Sequence, residues 1–379
     1  MRNSRPYTGY HRYSKVDTYP TQPLGTNLPI KDEIFASLEY ISEVNTVSLE
    51  FISKFGHTKE KAKEIQPRFK AFIRQSKTFY DSADLLHHRA SPLLYYYSFL
   101  NLAKAFLCLH QPNFVGNKIH HGLNHSFTEG TLKKQNVNVT DGVFRLLYEQ
   151  IYGNSLPTKS KNTVGTKINV IKALAYSSDI AFEYINANYG DHRQLRVKYR
   201  VIQNQQDAYA LIAVEQFCLI ENYKKSLTGF NKFFEEVDLP KSSAKDLFDF
   251  YVEHKQGYRF FESIKTYPVQ SNYRLDIAKD CMSLIKNLYV SSIYDDGIDF
   301  SLALPLSKTN QLAFNEFFGI YTGMFFLGSL VRYHPYYLED LLASKDAWII
   351  ERFARSAPLS LLLSFSNHIH RTIYLYTRR

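Results

Sequence analysis

Two polar residues interrupt an otherwise apolar run. In residues 91–109, SPLLYYYSFLNLAKAFLCL, Asn101 and Lys104 lie three apart, on one face of any helix formed there and one turn beyond Tyr97. An ammonium group in that position either snorkels to water along an apolar stem at the rim of a core, or points into a cleft and pairs with phosphate. The spacing suits both. His87, His88 and Arg89 precede this run, and His120, His121 and His125 follow it. Imidazole is the commonest protein metal ligand. Adjacent histidines point apart, however, with no HExxH and no Cys or carboxylate pair alongside, so no metal site is expected. His121, ahead of Gly122, reads as a loop imidazole that caps a helix or bonds to the backbone. Toward the C-terminus, residues 332–337 read RYHPYY. Arg332 emerges where an apolar helix leaves the core, and its guanidinium suits bidentate contact with phosphate or carboxylate, or an ion pair with Glu339, Asp340 or a distant acid. His334 is either an acid or base, or a turn residue ahead of Pro335. The candidates are thus Asn101, Lys104, Arg332, Arg89 and His121 for phosphate, with Arg332 and His334 for catalysis. No P-loop, GxGxxG or GxSxG motif is present, and no cofactor is expected.

The elements that must hold these residues follow from periodicity. Ser91 reads as an N-cap with Pro92 at the first helical position, where its missing N–H costs nothing. The run to Leu109 is apolar almost all round, which marks a central helix. Upstream, Ile34, Leu38, Ile41, Leu49 and Ile52 form one stripe. Thr58 caps a second helix that turns Phe69, Phe72, Ile73 and Phe79 inward. Residues 1–30 have no period and read as an extended arm, 31–183 as a helical region, 184–308 as a mixed α/β region, and 309–379 as a helical region packing on the N-terminal helices. Strands are expected in LRVKYRVI, AYALIAVEQF, YRFFESIKTYPV and LYVSSIYDDGIDFSLALP, the last turning at Asp295, Asp296 and Gly297. Short helices are expected over 243–254 and 276–288. FFGIYTGMFFLGSLV, 317–331, falls short of the ~20 residues that cross a bilayer. It reads as a buried helix whose Gly319, Gly323 and Gly328 admit a close neighbour. The fold class is α+β, mainly α.

Composition bounds the rest. The 379 residues are 45% hydrophobic and 22% charged, ordinary for a folded chain of two or three domains. A formal net charge of +10 favours an anionic partner, phosphate first. The 29 Tyr and 28 Phe read as packing at the border of core and water, with a base-stacking surface as the other use of such rings. Three scattered cysteines, Cys108, Cys218 and Cys281, argue against a disulfide framework and suit a reducing cytoplasm. The N-terminal stretch has no signal-peptide core, and no membrane partner is expected.

SPLLYYYSFLNLAKAFL followed by HHGL, with GSLVRYHPYYLEDLL near the C-terminus, resembles the YaaC-like family of bacterial proteins over most of the chain. That resemblance implies an architecture more than an activity. Tyr95, Tyr96, Tyr97, Asn101, Ala103, Lys104 and Ala105, then His120 or His121 before Gly122, are also similar to the middle helices of HEPN domains. Those are small helical bundles, many of them RNases or nucleotide binders of toxin–antitoxin and antiviral systems. Nucleolytic members carry an Arg and a His about four to six residues apart on a later helix, gripping the scissile phosphate and moving a proton. No helix expected here has that pair. The nearest is Arg332 and His334, too close to share a helical face. The expectation is a nucleic-acid or nucleotide binding protein, RNA first, of a bacterial stress or phage-defence pathway, with degenerate ribonuclease chemistry as its enzymatic form. The alternative is a non-catalytic structural or partner-binding subunit.

Overall fold

The computed structural model describes residues 2–3, 11–12, 21–24, 29–113, 120–125, 127–128, 130–158, 165–190, 193–203, 206–215, 228–238, 258–269, 273, 276–277, 280, 288–290, 300–304, 306, 312–371 and 373–376. The chain opens with strands β1 (Arg2–Asn3), β2 (His11–Arg12) and β3 (Thr21–Leu24), then helices α1 (Ile30–Glu43), α2 (Asn45–Ser53), α3 (Lys59–Asp84) and α4 (Ser91–His110). Next come β4 (Leu123–His125), β5 (Asn136–Val139), α5 (Val143–Tyr152), β6 (Lys167–Asn169), α6 (Val170–Leu174) and α7 (Ala181–Asn186). The middle of the chain holds β7 (Gln194–Gln203), β8 (Asp207–Glu215), α8 (Thr228–Phe233), β9 (Phe234–Asp238), β10 (Tyr258–Ser263), β11 (Tyr267–Pro268), β12 (Leu288–Val290) and β13 (Phe300–Ala303). Helices α9 (Glu316–Tyr333), α10 (Pro335–Leu342) and α11 (Ala347–His370) and strand β14 (Ile373–Tyr376) complete it. The fold is α+β and mainly helical. It divides into two units, each of discontinuous chain: residues 26–192 with 316–371, and residues 1–25 with 193–315 and 372–379.

The first unit is built around α4, whose side chains are buried on nearly every face. Helices α3, α5, α9 and α11 pack on it. Its first helical residue is Ser91, with Ala90 in the cap position, one place earlier than the expected Ser91 cap. In α3 the Thr58 hydroxyl accepts the Lys61 N–H at 3.3 Å, satisfying a donor the first turn leaves free. Ile65, Phe69, Ile73 and Tyr80 line its inner face. The upstream stripe is not one helix: the chain turns extended at Val44, dividing α1 from α2. Helix α9 is as apolar as α4, and its glycines are contact points. A Cβ on Gly319 would lie 2.7 Å from the Ala173 carbonyl oxygen, and one on Gly328 would lie 3.3 Å from the Leu93 Cα. No described helix is long and apolar enough to cross a membrane. An antiparallel sheet β4-β5-β6 pairs Leu123 with Val139 and Val137 with Ile168.

Cys108 is wholly buried in α4, and burial pushes its thiol up to about 12. A thiolate is the reactive form, so the native thiol is protected. In a Cys218→Ser/Cys281→Ser variant, thiol reagents at pH 8 are expected to label Cys108 only after denaturation. Native labelling at the rate of a free thiol would contradict this burial.

The second unit is a nine-stranded sheet of order β1-β9-β10-β8-β7-β13-β12, with β2 also on β7 and β11 on β8. All pairings are antiparallel except β1 with β9. Alternation sends Val197, Tyr199 and Val201 to one face with Phe230, Phe261 and Leu304, and sends Ile202, Tyr209, Leu211 and Val237 to the other. Residues 2–3 and 11–12, expected as part of an arm, contribute strands to this sheet. β3 and β14 form a separate parallel pair. The expected turn at Asp295, Asp296 and Gly297, the helix over 243–254, most of that over 276–288, and Cys218 and Cys281 lie outside the described residues.

Candidate functional site

Close approach of α9 to α4 at Gly328 assembles the site. Tyr96 of α4 packs against Phe325 and Tyr321 of α9, with ring centroids 5.3 and 5.9 Å apart. One turn beyond Gly328, Arg332 reaches α4, and its Nη1 donates to the Tyr97 hydroxyl at 2.7 Å. Lys104 follows on the same α4 face as Tyr97 and Asn101. It is half-buried, with Nζ 5.8 Å from the Phe72 ring centroid. Burial alone holds its ammonium below the usual lysine value. Neither Lys104 nor Arg332 has a carboxylate partner among the described residues. Asn101 is 5% exposed, and its Nδ2 donates to the Tyr97 carbonyl at 2.8 Å. Its amide is therefore spent on its own helix, at the floor of the site.

The loop bearing His121 is clamped by the start of α5. The Val143 and Phe144 N–H groups, which have no partner within their helix, donate to the His120 and His121 carbonyls at 2.9 and 3.1 Å. This requires backbone against backbone. Gly142 (φ +147°) and Gly122 (φ +83°) meet there, and a Cβ on Gly142 would lie 2.3 Å from the His120 carbonyl oxygen. The His121 ring is exposed on one side and flanked by Phe325 and Tyr96, at 5.4 and 6.4 Å. Its Nδ1 accepts the Leu123 N–H at 3.3 Å, which leaves the proton of the neutral ring on Nε2. Burial against its neighbours, then the charges of His120, Arg332 and Lys104, hold the imidazole below its ordinary value. Those two free cations therefore bear on one ring.

Arg332 thus meets Tyr97, Asn101 shares the helix face of Tyr97 and Lys104, and the charges of Arg332 and Lys104 both reach His121, whereas two candidates are engaged elsewhere. Arg89 donates through Nε to both carboxylate oxygens of Glu339, at 2.9 and 3.1 Å, so one of the acids weighed for Arg332 is engaged by Arg89. His334 precedes α10. Its ring stacks on Phe127 at 4.5 Å and lies 6.2 Å from His125, whose Nε2 is 3.1 Å from the Gln135 Oε1. Tyr97, Phe325 and the Gly122–Gly142 clamp are the members that sequence reasoning passed over. Only Tyr97 carried a signal, its spacing from Asn101 and Lys104. One Arg and His stand at the nucleolytic spacing in the sequence, Arg5 and His11; His11 opens β2, and Arg5 lies outside the described residues.

Other histidines serve packing. His57 Nε2 donates to the Leu109 carbonyl at 2.7 Å, His110 Nδ1 is 3.2 Å from the Gln150 Nε2, and His370 Nε2 is 3.2 Å from the Ser37 Oγ. His110, His368 and His370 are pushed down to about 4, burial being the first cause in each.

Chemically, these residues offer a guanidinium, a half-buried ammonium, an imidazole N–H and a phenol, with no carboxylate paired to them among the described residues. The lone pair of His121 is taken by a backbone N–H, so the arrangement is equipped to hold an anion rather than to move a proton. No curated protein and no solved structure matches the chain. The family model of the YaaC-like proteins matches residues 35–369, which span both helical segments and the intervening strands. The chain belongs to the YaaC-like protein family.

Proposed function

We propose that this protein binds the phosphate groups of a nucleic acid, RNA first, or of a nucleotide, at the cluster formed by Lys104, Arg332 and His121. The observation that carries this reading is that two cations, Lys104 and Arg332, have no acid partner among the described residues while the charges of both reach the His121 imidazole. A half-buried ammonium lacking a counter-charge is costly, and a bound anion offsets that cost. The net charge of +10 adds long-range attraction for the same class of ligand. The helices around α4 are read as a HEPN-like bundle, and the setting as a bacterial stress or phage-defence pathway. Ribonuclease chemistry, on this reading, is degenerate, for want of an Arg–His pair on any described helix and of a free base at His121.

The test is fluorescence anisotropy with single-stranded RNA, duplex DNA and ATP at two salt concentrations. Binding is expected to weaken as salt rises. Lys104→Ala and Arg332→Ala are each expected to weaken it by about tenfold or more, the scale of one hydrogen bond to a charged group. Affinity indifferent to both substitutions would sink the proposal, and cleavage on a gel of the RNA would promote the enzymatic form. A second reading, a protein-partner subunit, is favoured by a separate feature. Phe182, Ile185 and Trp348 are 65%, 54% and 53% exposed, with the Phe182 and Trp348 rings 5.7 Å apart. Such rings are typical of interface anchors. No binding to any of the three ligands, together with partner capture lost in Trp348→Ala, would favour it.

A further inference from the structure

We infer that the ligand of this site is a single-stranded nucleic acid, whose unpaired bases stack on Tyr333 and Tyr336 while its phosphates lie on Arg332 and Lys104. The inference rests on the phosphate reading above and adds the class of ligand. Three tyrosines stand out from the described surface, Tyr40, Tyr333 and Tyr336, and two of them adjoin Arg332. Tyr333 and Tyr336 are each 60% exposed, although the chain buries most of its described aromatic rings. Their placement follows from the break between α9 and α10. His334 takes a non-helical conformation (φ −138°, ψ 52°), and Pro335 starts the next helix. That break leaves one tyrosine on each side of it.

Neighbouring groups make these rings a platform rather than stray surface residues. The Arg332 guanidinium lies 5.0 Å from the Tyr333 ring centroid while Nη1 holds the Tyr97 hydroxyl. One cation is thus shared between the phosphate cluster and the first ring. On the other side, Tyr336 lies 6.2 Å from both Phe127 and His334, which are stacked on each other at 4.5 Å. This layer backs Tyr336 with aromatic surface. Exposed rings beside a cation suit a flexible strand, since every base has a π-face to stack and the backbone brings a phosphate with each base. A duplex keeps those faces inside its own stack, and a mononucleotide has one base for two rings.

The experiment uses the full chain and labelled oligomers of equal length: single-stranded RNA, the matching duplex, and an abasic phosphodiester strand. Tyr333→Ala/Tyr336→Ala is expected to weaken RNA binding about tenfold or more while leaving abasic-strand binding unchanged. Tyr333→Phe/Tyr336→Phe, which keeps the rings, is expected to retain RNA affinity, and the duplex is expected to bind more weakly than the single strand. Both tyrosines are on the surface, so thermal melts should show the variants folded. Equal affinity for RNA and the abasic strand, with no loss in the double alanine variant, overturns the stacking platform. In that case a loss in Lys104→Ala/Arg332→Ala leaves the phosphate reading standing. Loss in the tyrosine variant alone overturns the phosphate reading and keeps the platform, and no RNA binding at all overturns both.

Discussion

Gly142→Ala is expected to lower stability by about 2–6 kcal/mol and to abolish ligand binding together. Two costs add. At φ +147° an L side chain is strained, at about 1–3 kcal/mol. The new Cβ would also sit 2.3 Å from the His120 carbonyl oxygen and 2.7 Å from the Gly122 nitrogen, and overpacking of this kind costs about 1–3 kcal/mol more. Both obstacles are backbone atoms, so no rotamer change relieves them. The loop must move, and His121 moves with it. Gly153→Ala is the control. Gly153 also has positive φ (+70°), but nothing lies within 4 Å of its Cβ position, so only the backbone strain remains. Urea midpoints of the two variants check the argument, and equal midpoints would show that the Gly122–Gly142 contact does not carry the loop.

Acid is expected to destabilise the protein steeply between about pH 6.5 and 4. His110, His368 and His370 are held down at about 4 in the folded chain, chiefly by burial. In the unfolded chain they return to about 6.5. Between these values the unfolded state binds more protons, so stability rises with pH. Their contribution is fully present above about pH 6.5 and is lost as pH falls toward 4. Each histidine supplies up to about 1.4 kcal/mol per pH unit. Asp179 works in the opposite sense, since burial holds its carboxyl above the usual value and so favours the folded state in acid. Urea unfolding at pH 7.5 and pH 5 measures the slope. His368→Phe, which keeps a ring against Phe106 and Phe317, is expected to remove about a third of the slope from the three. An unchanged slope would mean that His368 takes up its proton alike in the folded and unfolded chains.

Local structure was legible where local chemistry dictates it. The apolar run of α4, the Thr58 cap, the alternating strands β7 and β8 and the glycine-bearing α9 all follow from periodicity and capping. The helical break at Val44 was not, because Ile34, Leu38, Ile41 and Ile52 keep one stripe across it and all are buried. For the site, residue types and the Tyr97–Asn101–Lys104 face were readable, since three- and four-residue spacings are local. Arg89 and Arg332 looked alike in sequence. Their difference, one bound to Glu339 and the other bound to Tyr97 with no acid partner among the described residues, depends on which helix each meets in space.

The sequence by itself determined the α+β class, the family likeness, the central helix and the candidate cations, because side-chain pattern and composition act over a few residues or over the whole chain at once. Only the tertiary structure decided that strands from both chain ends pair as β3 with β14, that two glycines press His121 into place, and that Arg332 falls beside Tyr97, 235 residues away. Such contacts arise from how packed surfaces interlock. One absent Cβ, at Gly328, lets two helices close and sets what meets beyond it, and no local pattern encodes which surface it will meet.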